Sequence, residues 1–136
     1  MVSSKATIFI DGASRNNPGP ASIGVVISQG EHTVVEFGKY IGETTNNVAE
    51  YTACIEALKK AHKLGIVDVE LFSDSQLLVR QITGEYKVRD LRLQDLMSTL
   101  QHEKSKFVKF RIHHVPREKN TRADALANRA LDEMSA

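Results

Sequence analysis

The sequence predicts an α/β fold: a mixed five-stranded sheet, three strands antiparallel and then two parallel, with helices on both faces. Three observations predict it. The first 41 residues read as three apolar strands separated by turn residues. The apolar spacing then changes from strand-like to helical at Val48. From there on, short apolar strands alternate with helical segments, which completes the order βββαβααβα.

The elements follow in chain order. Residues 6–11 form the first strand, centred on Thr7-Ile8-Phe9-Ile10. A turn-rich segment, Gly12 to Pro20, comes next. Ser22 to Ser28 is the second strand, with Val25-Val26-Ile27 at its centre, and Gln29-Gly30-Glu31 turns the chain into a third strand, Val34 to Ile41. Val48, Tyr51, Ile55, Leu58 and Leu64 then recur at helical spacing, with Ala49, Ala53, Ala57 and Ala61 between them and Gly65 as the stop. Val67 to Ser73 is the fourth strand. Residues 75–83 make a helix closed by Gly84, and Leu91 to about Glu103 makes another. Val108 to His114 is the fifth strand, and Ala123, Leu126, Ala127, Ala130, Leu131 and Met134 mark the apolar face of a last helix.

Composition narrows the possibilities. Residues 1–136 are expected to form one domain, and the 41% hydrophobic and 26% charged content suits an ordinary globular protein. No apolar run approaches the ~20 residues that span a bilayer, so no membrane partner is expected. Met1-Val2-Ser3-Ser4-Lys5 runs straight into a strand without a signal-peptide pattern, and a cytoplasmic location is expected. The single cysteine, Cys54, excludes an intramolecular disulfide and a thiolate-rich zinc site. The formal net charge of +1 points to no polyanionic partner by itself. Nucleic-acid contact would have to use local clusters such as Lys87-Val88-Arg89 and Arg117-Glu118-Lys119, which read equally well as solvated surface. The chain has no His-Glu-x-x-His, no Gly-Lys-Ser/Thr loop and no Gly-x-Gly-x-x-Gly, which removes zinc hydrolases, P-loop proteins and dinucleotide enzymes.

Four acidic residues stand at element boundaries: Asp11, Glu50, Asp74 and Asp124. Asp11 and Asp74 end parallel strands, and sites in such sheets lie beyond those carboxyl ends. Glu50 and Asp124 fall in first helical turns that can face the same crevice. Each has a local alternative. Asn47 to Glu50 and Thr121 to Asp124 have capping-box spacing, Asp74 could cap a helix, and Asp11-Gly12 could be a turn. Four caps have no reason to converge, whereas the topology makes these residues converge. Clustered carboxylates repel unless cations neutralise them, and an all-oxygen site suits Mg²⁺ or Mn²⁺ and metal-assisted chemistry on a phosphate ester.

The motifs around these positions are specific. Ile10-Asp11-Gly12-Ala13-Ser14-Arg15-Asn16-Asn17-Pro18-Gly19-Pro20-Ala21 resembles the opening of the ribonuclease HI family. Thr44 to Tyr51, Ser73 to Gln76 and Asn120 to Ala127 resemble its second, third and fourth motifs, in family order and across nearly the whole chain. The resemblance implies a ribonuclease H-like fold. It also implies an endonuclease that cuts the RNA strand of RNA–DNA hybrids with two Mg²⁺ ions, for which Mn²⁺ substitutes, leaving 5′-phosphate and 3′-hydroxyl ends. By motif position Asp11 bridges both ions, Glu50 and Asp74 hold the leaving-group side, and Asp124 holds the water side. Asn17, Thr45, Asn46 and Gln76 match substrate-contacting positions, and neutral amides and hydroxyls suit minor-groove edges and 2′-hydroxyls. Gly12 would let a sugar–phosphate backbone approach closely. For Asn47 a helix cap is at least as good a reading.

Two departures from the family pattern stand out. Well-known members carry a mobile histidine in a glycine-containing loop before the last helix. An ungapped comparison puts His114 there, but the segment His113-His114-Val115-Pro116-Arg117 is stiff. Strand alternation places His114 with Val108, Phe110 and Ile112, so a partly buried core histidine is expected rather than a catalytic one. Members lacking that loop share a Val-Pro-Arg-Glu segment, in which Arg117 either steadies a phosphate oxygen or pairs with Glu118 or another neighbour. The extra basic helix of some members is absent, which implies weak, salt-sensitive binding. The expected partner is an RNA–DNA hybrid, with double-stranded RNA as a further possibility because its minor groove also shows 2′-hydroxyls. The chain is expected to be a monomer. Other nucleases on this fold and a non-catalytic nucleic-acid-binding module remain as alternatives.

Overall fold

The computed structural model describes residues 5–135; the segment Met1 to Ser4, where a signal peptide was sought, lies outside the described residues. The elements are β1 (Lys5–Ser14), β2 (Gly19–Gln29), β3 (His32–Thr44), α1 (Asn46–Lys63), β4 (Asp68–Ser73), α2 (Gln76–Ile82), α3 (Leu91–Lys104), β5 (Lys109–His114) and α4 (Thr121–Ser135), with a 3₁₀ turn at Arg117–Lys119. They form the mixed sheet expected, in the spatial order β3-β2-β1-β4-β5. β1 and β3 each pair with β2 in antiparallel fashion, whereas β4 pairs in parallel with β1 and with β5.

Side-chain alternation divides the sheet into two faces. Ile8 and Ile10 of β1, with Ile23, Val25 and Ile27 of β2, turn toward α1 and meet Tyr51, Cys54, Ile55 and Leu58 in the main core. Val26 turns the other way, where it joins Ala123 and Leu126 of α4 with Phe9 against them. The opposite face is therefore thinner, and it is closed by main-chain contact rather than by bulk. A Cβ on Gly24 would lie 2.0 Å from the Ala123 carbonyl oxygen, and one on Gly38 would lie 2.2 Å from that of Leu126. Ser22 Oγ donates to the Ala127 carbonyl in the same contact. The lack of side chains at these two glycines sinks α4 onto β2 and β3.

Local expectations hold with four corrections. β1 continues through Gly12, Ala13 and Ser14, which pair with Ile23, Ser22 and Ala21, because the ladder to β2 outweighs their turn propensity. The turn shrinks to the segment around Asn16, whose φ is 63°, and the cis Asn17-Pro18 bond. Val67 and Val108 fall just outside their strands; they meet through one backbone bond, Val108 N–H to Val67 O at 2.8 Å, and Val108 is exposed. The cap of α1 is Thr45, not Asn47: Thr45 is extended (φ −88°, ψ 163°) and accepts from Val48 N–H at 3.2 Å. Asn47 lies inside the first turn.

The glycine contacts generate a stability prediction. Gly24→Ala forces a methyl into the α4 main chain, and overpacking of that kind costs about 1–3 kcal/mol. Urea unfolding should show a loss at the upper end of this range, because the obstructing atom is backbone and cannot rotate away.

Candidate active site

The parallel ladder between β1 and β4 ends with Ile10 opposite Ser73, while β1 runs on beside β2. The next residue of each chain segment is a carboxylate, Asp11 and Asp74. α1 then brings Glu50 in from above. It does so at very short range: a Cβ on Gly12 would lie 2.4 Å from Ala49 C and Glu50 N. Gly12 is thus required by the chain's own helix, and it also lines the acidic crevice. The Gly12 N–H donates to Glu50 Oε1, so Glu50 is held by β1 and does not close a capping box on its own helix.

Asp11, Glu50 and Asp74 each present a carboxylate oxygen to a common point, and these oxygens lie within 4.8 Å of one another. Asp124, on the first turns of α4, lines the same crevice and bears on Asp11 electrostatically. The structure therefore gathers all four acidic residues singled out in the sequence, three of them tightly. The crevice has a volume of about 540 Å³, and Gly12, Ser14, Asn46, Arg117 and Asn128 complete its wall. A larger groove of about 630 Å³ lies against the C-terminal half of α1, but its lining of Lys39, Lys59, Lys60, Lys63 and neighbours brings no acidic cluster together.

Electrostatics follow from this geometry. Asp11 is 5% exposed and Glu50 is 8% exposed. Burial, followed by the charge of Asp74 and the hydrogen bond and charge of Asp124, pushes Asp11 up to about 8; Arg117 opposes this. Burial, then Asp11 and Asp74, holds Glu50 well above the usual carboxylate range, and the Gly12 N–H and Arg117 act against that. The donor set is all oxygen, with neither thiolate nor imidazole in the crevice wall. It fits a hard divalent cation, whose charge would relieve the repulsion.

The other predicted site residues divide into groups. Asn46 lines the acidic crevice, whereas Asn17 and Thr45 line an adjoining pocket with Asn47, Asp90 and Arg92. The Asn46 and Asn17 carboxamides are each held by main chain: Ser14 N–H donates to Asn46 Oδ1 at 2.7 Å, and Asn46 N–H donates to Asn17 Oδ1 at 3.0 Å. Each oxygen is engaged by a backbone N–H, so each amide offers its NH₂ group outward. Gln76 is exposed at the start of α2 and lies outside both pockets. Arg117 reaches the crevice because Val115 N–H pairs with Ser73 O at 2.9 Å and Pro116 then starts the 3₁₀ turn. No ion pair joins it to Glu118 among the described residues.

His114 overturns its expectation. It is exposed at the end of β5, not part of the core, and it does not line the crevice. Alternation named the face correctly, but β5 is an edge strand whose last residue extends past its cover. Three polar residues escaped sequence reasoning. Asn128 donates to Asp124 O at 3.0 Å and to Asp124 Oδ1 at 3.2 Å. Arg92 donates to Thr44 Oγ1 at 3.2 Å beside the second pocket. Asn120, 2% exposed, reaches both Ile10 O and Asp74. Asn128 lies one turn beyond Asp124, so helical spacing alone could have found it; the contacts of Arg92 and Asn120 are long-range and left no local signal.

Two predictions follow. Asp11 and Glu50 keep their protons in the folded chain at pH values where the unfolded chain has lost them. The folded state therefore binds more protons across a window from about pH 4 to about pH 8, and stability falls as pH rises through it. Urea midpoints of the metal-free chain should decline across this window, Asp11→Asn should flatten the decline, and added Mg²⁺ should oppose it. His114→Ala, at an exposed position, should change unfolding free energy by less than about 0.5 kcal/mol, as read by thermal or urea melts.

Comparison with known proteins agrees with this architecture. Residues 9–130 match a family model described as reverse transcriptase-like. The chain is 47% identical over 126 residues to the ribonuclease HI of Halobacterium salinarum, covering 92% of this chain and 63% of that protein. Mycobacterial relatives at 43% identity are longer still, and the chain spans 36% of their length. A ribonuclease H from Halorhodospira halophila is 38% identical over 143 residues, which cover 94% of this chain and 93% of that one. A crystal structure of LC11-RNase H1 in complex with an RNA/DNA hybrid superposes with a TM-score of 0.92 at 44% identity, covering 96% of this chain and 99% of the other. Matching motifs, sheet order and near-complete coverage lead to one conclusion: the chain belongs to the ribonuclease H family.

Proposed function

We propose that the chain is an endonuclease that hydrolyses the RNA strand of RNA–DNA hybrids, leaving 5′-phosphate and 3′-hydroxyl ends. The observation that carries this reading is the convergence of Asp11, Glu50 and Asp74 within 4.8 Å, with Asp124 on the same crevice wall. These four residues would hold two Mg²⁺ ions, or Mn²⁺ in their place. Asp11 would serve both ions, Glu50 and Asp74 the leaving-group side, and Asp124 the water side. When bound, such ions supply Lewis acidity at the phosphate and a hydroxide-like nucleophile near neutral pH.

The protein's own groups do the rest. The Gly12 N–H fixes Glu50, and Asn128 fixes Asp124, so neither carboxylate needs to reorganise when substrate arrives. Arg117 is the cation on the crevice wall, where its guanidinium can steady a phosphate oxygen. His114, exposed at the end of β5, lies outside that wall. Asn46 and Asn17 present donors to acceptors on the minor-groove side, Thr45 adds a hydroxyl, and Gln76 is a further proposed contact two residues beyond Asp74. Double-stranded RNA offers the same 2′-hydroxyls and is proposed as a poorer substrate. A monomer of one domain, acting in the cytoplasm, suffices for this chemistry; no helix among the described residues is long and apolar enough to cross a membrane. A non-catalytic binding module would have no use for four converging carboxylates, two of them buried.

The test is cleavage of labelled hybrid, duplex DNA, duplex RNA and a four-way junction, each with and without Mg²⁺. Cutting of the hybrid's RNA strand, dependent on metal, is expected. Asp11→Asn should lower turnover at least about a thousandfold, equivalent to about 4 kcal/mol of barrier, while hybrid binding is largely kept. Undiminished turnover of that variant, or preferential cutting of duplex DNA, would refute the assignment.

A further inference from the structure

Asn120 stands between the 3₁₀ turn and α4, and its side chain behaves unlike that of an ordinary residue at a helix start. A side chain there normally turns its oxygen onto an N–H of the first turn. Asn120 instead sends Nδ2 to the Ile10 carbonyl at 2.8 Å and to Asp74 Oδ2 at 3.2 Å. The two partners settle which end of the amide is which, since a reversed amide would set its oxygen against a carbonyl and a carboxylate. Oδ1 is consequently left buried without a hydrogen-bond partner. A buried acceptor left unpaired and a cap forgone are both unfavourable, so the two donations are the reason for this arrangement.

Their place in the fold gives them a role. β1 and β4 pair as far as Ile10 and Ser73, and Asp11 and Asp74 follow at once. Ser75 N–H turns back to Ser73 Oγ at 3.0 Å as β4 leaves the sheet for α2. At this point the strands part, and the Asn120 carboxamide ties the last residue of β1 paired with β4 to the carboxylate that follows β4. We infer that Asn120 is a positioning residue for Asp74: its amide fixes the rotation of that carboxylate and thereby the spacing of the acidic cluster. The inference rests on the metal-binding reading of the cluster. Groups that orient a ligating carboxylate are typically worth 10–100-fold in metal affinity or activity.

The experiment uses the full chain with Asn120→Ser and Asn120→Ala. Serine is a good helix-start residue and protects α4, yet its single short hydroxyl cannot serve both acceptors. Mn²⁺ binding is measured by calorimetry without substrate, alongside melting temperature and steady-state kinetics on a hybrid. Both variants should bind Mn²⁺ about tenfold more weakly, and kcat should fall by about tenfold or more. KM for the hybrid should stay within about threefold, because no substrate contact is removed. A folded Asn120→Ser chain that binds Mn²⁺ as the parent does and keeps its kcat overturns the inference, whatever its melting temperature. If the parent chain binds Mn²⁺ yet cuts no hybrid, the nuclease reading fails, and the calorimetric difference between parent and variant still decides the role of Asn120.

Discussion

Carboxylates held within 4.8 Å of one another, two of them nearly out of contact with water, repel and are poorly solvated when charged. The rest of the molecule is arranged so that this unfavourable cluster persists. Adjacent parallel strands set the spacing of Asp11 and Asp74. α1 is pressed against β1 at Gly12 until its own backbone is in contact, and the Gly12 N–H holds Glu50 Oε1 there. The main core of Ile8, Ile10, Val25, Tyr51 and Leu58 lies directly behind this contact and supplies the apolar burial that offsets the local cost.

The opposing influences at the site are few and specific. The Gly12 N–H stabilises the charged form of Glu50, and Arg117 stabilises those of both Asp11 and Glu50. Neither brings these groups into the ordinary carboxylate range, and in the metal-free chain they stay protonated instead; a bound cation would relieve the same repulsion.

Much of this could be read from the chain alone, and the reasons are physical. The change from alternating to helical apolar spacing at Val48 marked where the meander ended. Once the order of strands was known, the rule that sites lie at the carboxyl ends of parallel strands placed Asp11 and Asp74 together. The failures share a different cause. Gly12 to Ser14 have turn-like composition, and only the presence of β2 alongside makes them strand. Thr45 and Asn47 are both competent caps, and a difference of two residues in where the backbone turns helical decided between them. His114 has the right periodicity for burial, but cover at the end of an edge strand depends on helices that periodicity does not describe. Asn120 gave no signal of its own in the sequence; its bonds to Ile10 and Asp74 bridge more than forty positions along the chain and are invisible to any local pattern.

The seating of α4 on Gly24 and Gly38 has one more consequence. Because carbonyl oxygens of the helix rest on bare strand backbone, the height of α4 above the sheet is set by peptide atoms common to every sequence. Asp124 inherits its position from that height. The outward surface of α4, where Arg129 and Glu133 face solvent, is consequently free to drift in charge or polarity without disturbing the carboxylate on the inner side. In such a design, adaptation to new surroundings and preservation of the chemistry fall on separate sets of residues, and the two glycines are the boundary between them.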